Sequence, residues 1–146
     1  MSERNYTPDR RIVCVGSATV GSALLRTVGS LRRSMSDELV TSGSLLIWDT
    51  GARCTTLNER IVGALGLEPT GRTVTLALAD GHEVECQTYL VYVRFTFGSY
   101  YGPYEVPAMT GMNCDLLIGM DIITLGELHV NRMSETEVEF VFIMHK

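Results

Sequence analysis

The apolar run Leu45-Leu46-Ile47-Trp48 passes without a break into Asp49-Thr50-Gly51-Ala52. A short apolar run with an aromatic at its end reads as a buried strand, so the carboxylate that follows starts from the floor of the core. Gly51 allows a tight turn there that a Cβ would obstruct, and the Thr50 hydroxyl can bond within or across that turn. A lone carboxylate over an apolar floor is costly. Two such groups face to face have a use: one takes a proton from a water while the other protonates a substrate carbonyl. Whatever this chain folds into must hold a strand end, a tight turn and an acid in that order.

The rest of the pattern is mostly of period two. Residues 1–44 are the least patterned, with a short strand expected at 11–15 and a loop or hairpin turn at 34–44, which is rich in Ser, Asp, Thr and Gly. Gly16 and Gly21 have the spacing of a phosphate-binding loop, but Ser22 stands where its Lys belongs, and that reading fails. Beyond Ala52, Thr56-Leu57-Asn58-Glu59 has the form of a capping box. Ile61, Val62 and Leu65 then recur at helical spacing until Gly66 and Pro69, which predicts a short helix. Alternation over 73–78 and 84–88 about Asp80-Gly81 predicts a β-hairpin. Further strands are expected at 90–97 and 115–119, one or two helical turns at 120–126, and a terminal hairpin from 128–130 and 138–143. Residues 100–107, with two Pro, read as a loop or edge strand. Tyr100, Tyr101 and Tyr104 there are either a peptide-contacting surface or a plain edge patch. The expected class is mostly β with one or two short helices.

A chain of 146 residues, 45% hydrophobic and 20% charged, suits one domain that buries roughly 70% of its unfolded surface. No apolar run reaches the roughly 18 residues that cross a bilayer, and the polar start lacks the layout of a secretory signal. The expectation is a cytoplasmic protein with no membrane partner. The net charge of −5 is uneven: residues 1–33 carry six Arg against Glu3 and Asp9, and the remainder six basic against fifteen acidic groups. Because the basic residues come singly or in pairs, no nucleic-acid partner is expected. Cys14, Cys54, Cys86 and Cys114 lie too far apart for a C-x-x-C zinc site and read as isolated, mostly buried thiols. His129 and His145 lack ligand-spaced partners, so no metal and no cofactor are expected.

The segment from Leu46 to Ala52, followed by Thr55, resembles the active-site loop of retropepsin-type aspartic proteases. Leu117-Ile118-Gly119, which ends 70 residues after Asp49, resembles that family's apolar-apolar-Gly motif. The Ala79-Asp80-Gly81-His82 turn stands in the place of its flap. The likeness runs from residue 45 to the C-terminus and is nearer to cellular and bacterial single-domain members than to viral enzymes. It divides the chain into an N-terminal extension, 1–44, and a protease domain, 45–146. The fold it implies is a closed β-barrel of the acid-protease type.

With a single Asp-Thr-Gly, the resemblance implies a homodimer in which Asp49 from each chain forms the catalytic dyad. The mechanism that the resemblance implies passes through no acyl-enzyme. Thr50, Gly51 and Ala52 complete the active-site loop, with Thr50 bracing the two loops across the axis. Gly51, Arg53, Asp80, Gly81 and His82 are the expected contacts with a peptide or protein substrate, and Leu117, Ile118 and Gly119 the structural motif. Arg53 departs from the acidic residues that the viral enzymes carry after Ala. It pairs with a substrate acid, pairs across the dimer, or points to solvent, the last being simplest. His82 is a plain turn residue before it is a pH sensor. The rival reading is a catalytically silent module of the same fold that dimerises and binds peptides. The extension also has the basic character of a pro-segment that an acidic cleft would hold until cleavage before Leu45.

Overall fold

Among residues 11–21 and 25–145, which the computed structural model describes, ten strands and two short helices follow in order. These are β1 (Arg11–Thr19), β2 (Leu25–Arg32), β3 (Val40–Trp48), β4 (Thr56–Asn58), α1 (Glu59–Leu65), β5 (Thr73–Ala77) and β6 (Glu83–Arg94). They continue with β7 (Tyr101–Met109), β8 (Leu116–Ile118), α2 (Met120–Ile123), β9 (Gly126–Arg132) and β10 (Glu137–Met144). The polar start and Ser22, both used in the sequence reading, lie outside the described residues. No helix among the described residues is long and apolar enough to cross a membrane.

Seven strands pair in the order β2-β3-β8-β4-β7-β6-β5, and β6 also pairs with β2 through Ser30↔Arg94, Leu31↔Val93 and Arg32↔Tyr92. The succession of pairings from β2 round to β6 thus returns to its first strand. The other three strands form a sheet in the order β1-β10-β9. The two sheets meet through aromatics. Trp48, at the end of β3, has its ring centroid 5.0 Å from Phe142 and 6.2 Å from Phe140, both on β10, and 5.5 Å from Phe95. All four are buried, each contributing on the order of 1.5–3 kcal/mol by removal from water. The indole N–H is satisfied at 2.8 Å by the Thr27 hydroxyl of β2.

Several elements differ from expectation. Strand β2 had no expected counterpart, because its inward row is Thr27, Gly29 and Leu31, too polar and too small to show as alternation. Residues 40–44, Val-Thr-Ser-Gly-Ser, belong to β3, where Thr41 and Val40 pair with Leu31 and Arg32 of β2. Residues 56–58 form β4 instead of a capping box, and the helix cap stands two residues later. That cap is Asn58, whose side chain accepts from Arg60 N at 3.0 Å. The stop at Gly66 is as expected, in the left-handed conformation with φ 61°. The strands expected at 84–88 and 90–97 are one, β6, and residues 101–109 form a strand inside the sheet between β4 and β6. The expected boundary between residues 44 and 45 falls inside β3, while β1 pairs with β10 from Arg11 to Thr19.

Candidate active site

Strand β8 is short, with Leu116 and Ile118 fully buried, and it threads between two partners. On one side it runs parallel to β3, with Leu46↔Leu116, Ile47↔Leu117 and Trp48↔Ile118; on the other it is antiparallel to β4, with Thr56↔Leu117 and Leu57↔Leu116. Residues 49–55 therefore leave the sheet beside β8 and return on its far side. The loop is closed by its own backbone and by β8: Asp49 N donates to Ile118 O at 2.8 Å and Ala52 N to Asp49 O at 3.1 Å. The start of this arrangement is anchored by the buried Asp115, which accepts from Leu45 N at 2.8 Å and pairs with Arg60 of α1.

The Asp49 carboxylate is half-buried, and its Oδ1 accepts from Gly51 N at 2.9 Å. Its Oδ2 has no partner among the described residues. Thr50 beside it is exposed, and its hydroxyl likewise makes no hydrogen bond among the described residues.

Behind the loop stands a brace that the sequence reading did not assign. Thr55 donates its N–H to both oxygens of Asp121 at 3.0 Å and its hydroxyl to Oδ1 at 2.7 Å. The same hydroxyl accepts from Gly119 N at 3.0 Å. Met120 N and Asp121 N, opening α2, donate to Ala52 O at 2.8 Å and Arg53 O at 3.2 Å. Gly119 is required by space: a Cβ there would stand 2.7 Å from Cys54 C and 2.9 Å from Ala52 O. The apolar-apolar-Gly motif is thus a contact surface for the acid-bearing loop. The role of Asp121 left no sequence signal beyond its place at the start of a helical turn.

The loop opens on a cleft of roughly 590 Å³. Gly51, Ala52, Arg53, Cys54, Thr56, Met109 and Leu117 line one side, and residues 75–78 with Glu83 of the β5–β6 hairpin line the other. Burial, and secondarily Asp121, raises the Cys54 thiol above its ordinary range. Gly51, Ala52 and Arg53 thus share the cleft with Leu117, whereas Ile118 and Gly119 lie buried behind it. Asp80, Gly81 and His82 form the hairpin tip, with Gly81 at φ 90°, and are not among the cleft walls. Asp80 accepts from His82 N at 2.9 Å and faces the His82 ring at 2.9 Å; the backbone bond first, then the ring, holds its carboxyl below the usual range. The walls contributed by Leu76, Leu78 and Met109 were not singled out from the sequence, because alternation marks a strand face without saying what it faces.

Among the described residues no group of three or more His, Cys, Asp and Glu side chains is arranged to hold a metal ion. His129 and His145 do have a carboxylate neighbour, contrary to expectation: both contact Glu127, at 2.9 and 2.6 Å. The four cysteines are free thiols, three of them buried.

No model of a known protein family matches this chain, and no curated protein matches it. Among solved structures it is similar to the crystal structure of a retropepsin-like aspartic protease from Rickettsia conorii, at 15% identity and a TM-score of 0.50. The likeness covers 91% of this chain and 96% of that one. At that identity it establishes the fold, a mostly-β retropepsin-like architecture.

Proposed function

We propose that the chain is an aspartic endopeptidase acting as a two-fold homodimer, in which Asp49 of each protomer supplies one carboxylate of a shared dyad. The retropepsin-like fold is the premise. The carrying observation is the carboxylate itself, with Oδ1 held by Gly51 N at 2.9 Å and Oδ2 without a partner among the described residues, on a braced loop at the mouth of a cleft. One chain supplies one Asp-Thr-Gly, so the second acid comes from a second copy across a two-fold axis.

Two carboxylates at such an axis resist ionising together, so the pair holds one proton, the general behaviour of aspartic-protease dyads. The ionised member takes a proton from the bound water, which attacks the scissile carbonyl. The protonated member donates to the carbonyl oxygen, and the tetrahedral species collapses with the proton delivered to the leaving amine. Thr50, exposed and unpartnered within the described protomer, joins the two loops across the axis. In this reading the ring of pairings from β2 to β6 is the closed barrel of the acid-protease fold, and the β5–β6 hairpin is its flap. Gly51 takes substrate backbone from below, and closure carries Asp80, Gly81 and His82 over it. The apolar walls Leu76, Leu78, Met109 and Leu117 favour apolar side chains beside the bond cut.

The deciding experiment compares wild type with Asp49→Asn on a mixed peptide library from about pH 3 to pH 7, with molar mass recorded in parallel. Cleavage by a wild-type dimer, lost by a dimeric Asp49→Asn protein, is the expected outcome. Dimers without cleavage in either would favour the silent peptide-binding module, and cleavage surviving the substitution would move the chemistry elsewhere.

A further inference from the structure

Arg53 is the single cation among the described residues lining the cleft, and none of them neutralises it. Its side chain is exposed, and no carboxylate among the described residues pairs with it. Two acids close to it, Asp49 along the chain and Asp121 through its backbone contact, have other work. Asp49 accepts from Gly51 N, and Asp121 accepts from Thr55 N, the Thr55 hydroxyl and Ile122 N. Glu83, the other charged residue on the cleft walls, stands on the opposite hairpin and makes no ion pair with Arg53. The backbone beneath the guanidinium is held, since Arg53 O accepts from Asp121 N at 3.2 Å. A held backbone carrying a planar, five-donor head with no acid partner among the described residues is suited to a carboxylate.

Position sets where that carboxylate must sit. Arg53 is four residues from Asp49, so their Cα atoms are at most about 14 Å apart. A bound peptide in extended form advances roughly 3.3 Å per residue. The geometry points to Arg53 as a specificity-determining residue that selects peptides bearing a carboxylate about two to four residues from the bond held at Asp49. This inference rests on the endopeptidase reading for its register, though not for the recognition itself. The chain's net charge of −5 opposes acidic peptides at long range, so any preference for them must be local to the cleft.

The test uses fluorogenic peptides of one cleavable sequence, C-terminally amidated, with Glu, Gln or Lys at each of the second to fourth positions on either side of the bond. A further arm carries Gln there and a free C-terminal carboxylate at the same distance, which separates a side-chain acid from a chain terminus. At a pH where glutamate is ionised, wild type should favour Glu over Gln by about tenfold in kcat/KM, mainly through KM. Arg53→Gln should bring the two within about twofold, and Arg53→Glu should turn the preference toward Lys. Equal use of Glu and Gln at every position, with no gain from the free terminus, overturns the inference, as does a preference that survives Arg53→Gln. The same peptides are titrated by fluorescence anisotropy into Asp49→Asn protein. If wild type cuts nothing, yet Asp49→Asn protein binds Glu peptides more tightly and loses this with Arg53→Gln, the endopeptidase reading fails and this one stands. Binding without that preference, or no binding, ends this one too.

Discussion

Gly119 and Thr55 show how single residues hold an acid-bearing loop in place. Gly119 lets the turn after β8 approach the Ala52–Cys54 backbone more closely than any Cβ permits, and the atoms it would meet are main chain, which cannot rotate away. Gly119→Ala should therefore cost about 1–3 kcal/mol, as overpacking does, read as a lowered urea midpoint at unchanged m-value. A loss within a few tenths of a kcal/mol would mean that the loop yields. Thr55 satisfies the buried Gly119 N–H at 3.0 Å, and Thr55→Val keeps the shape while orphaning that donor. The expected loss is about 1–3 kcal/mol, and a neutral Thr55→Val would show that another acceptor, or water, replaces the hydroxyl.

Among the elements, β5 and the tip it shares with β6 are lightly protected. Strand β5 is largely exposed and among the described residues pairs only with β6, whereas Leu46, Ile47 and Trp48 of β3 are buried alongside β8. Amide exchange in residues 73–77 should run at least about a hundredfold faster than at Leu46, Ile47 and Trp48; equal protection would argue against a mobile hairpin. The tip also carries a pH dependence. The Asp80 carboxyl is lowered on folding, by the His82 backbone N–H first and the His82 ring second. A lowered carboxyl adds stability above its unfolded value and gives it up as pH falls through the folded value. The tip should thus loosen only below the ordinary carboxylate range. Carboxyl-carbon NMR of Asp80, followed together with His82 amide exchange, checks this, and an Asp80 that titrates at its ordinary value would remove the tie.

At the scale of the whole molecule, residues before Leu45 are structural partners of the rest. Val13, Cys14 and Leu31 are buried, Thr27 accepts the Trp48 indole N–H, and β1 and β2 pair with β10, β3 and β6. A chain beginning at Leu45 would lose both strands and half of β3. It should fail to unfold cooperatively in circular dichroism, whereas a removable pro-segment would leave a domain with its own sharp transition.

What was legible in the sequence was local. The apolar run into Asp49-Thr50-Gly51, the Gly66 stop, the Asp80-Gly81 turn and the Leu117-Ile118-Gly119 motif each announce themselves within a few residues, because turn chemistry and burial of a short strand are short-range demands. The strand β2 was invisible because its inward row, Thr27, Gly29 and Leu31, owes its burial to β3, β6 and the close approach of the Arg94 and Phe95 carbonyls at Gly29. The capping box misled because Thr56 and Leu57 are claimed by β8 and β7 before they can start a helix. The Thr55–Asp121 brace joins residues 66 apart, and no periodicity registers such a pair. Residue order alone dictates that a carboxylate follows a buried strand into a tight turn. What braces that turn, which hairpin it faces and that Arg53 has no acid partner among the described residues follow from contacts between residues far apart in the chain, which folding alone brings together.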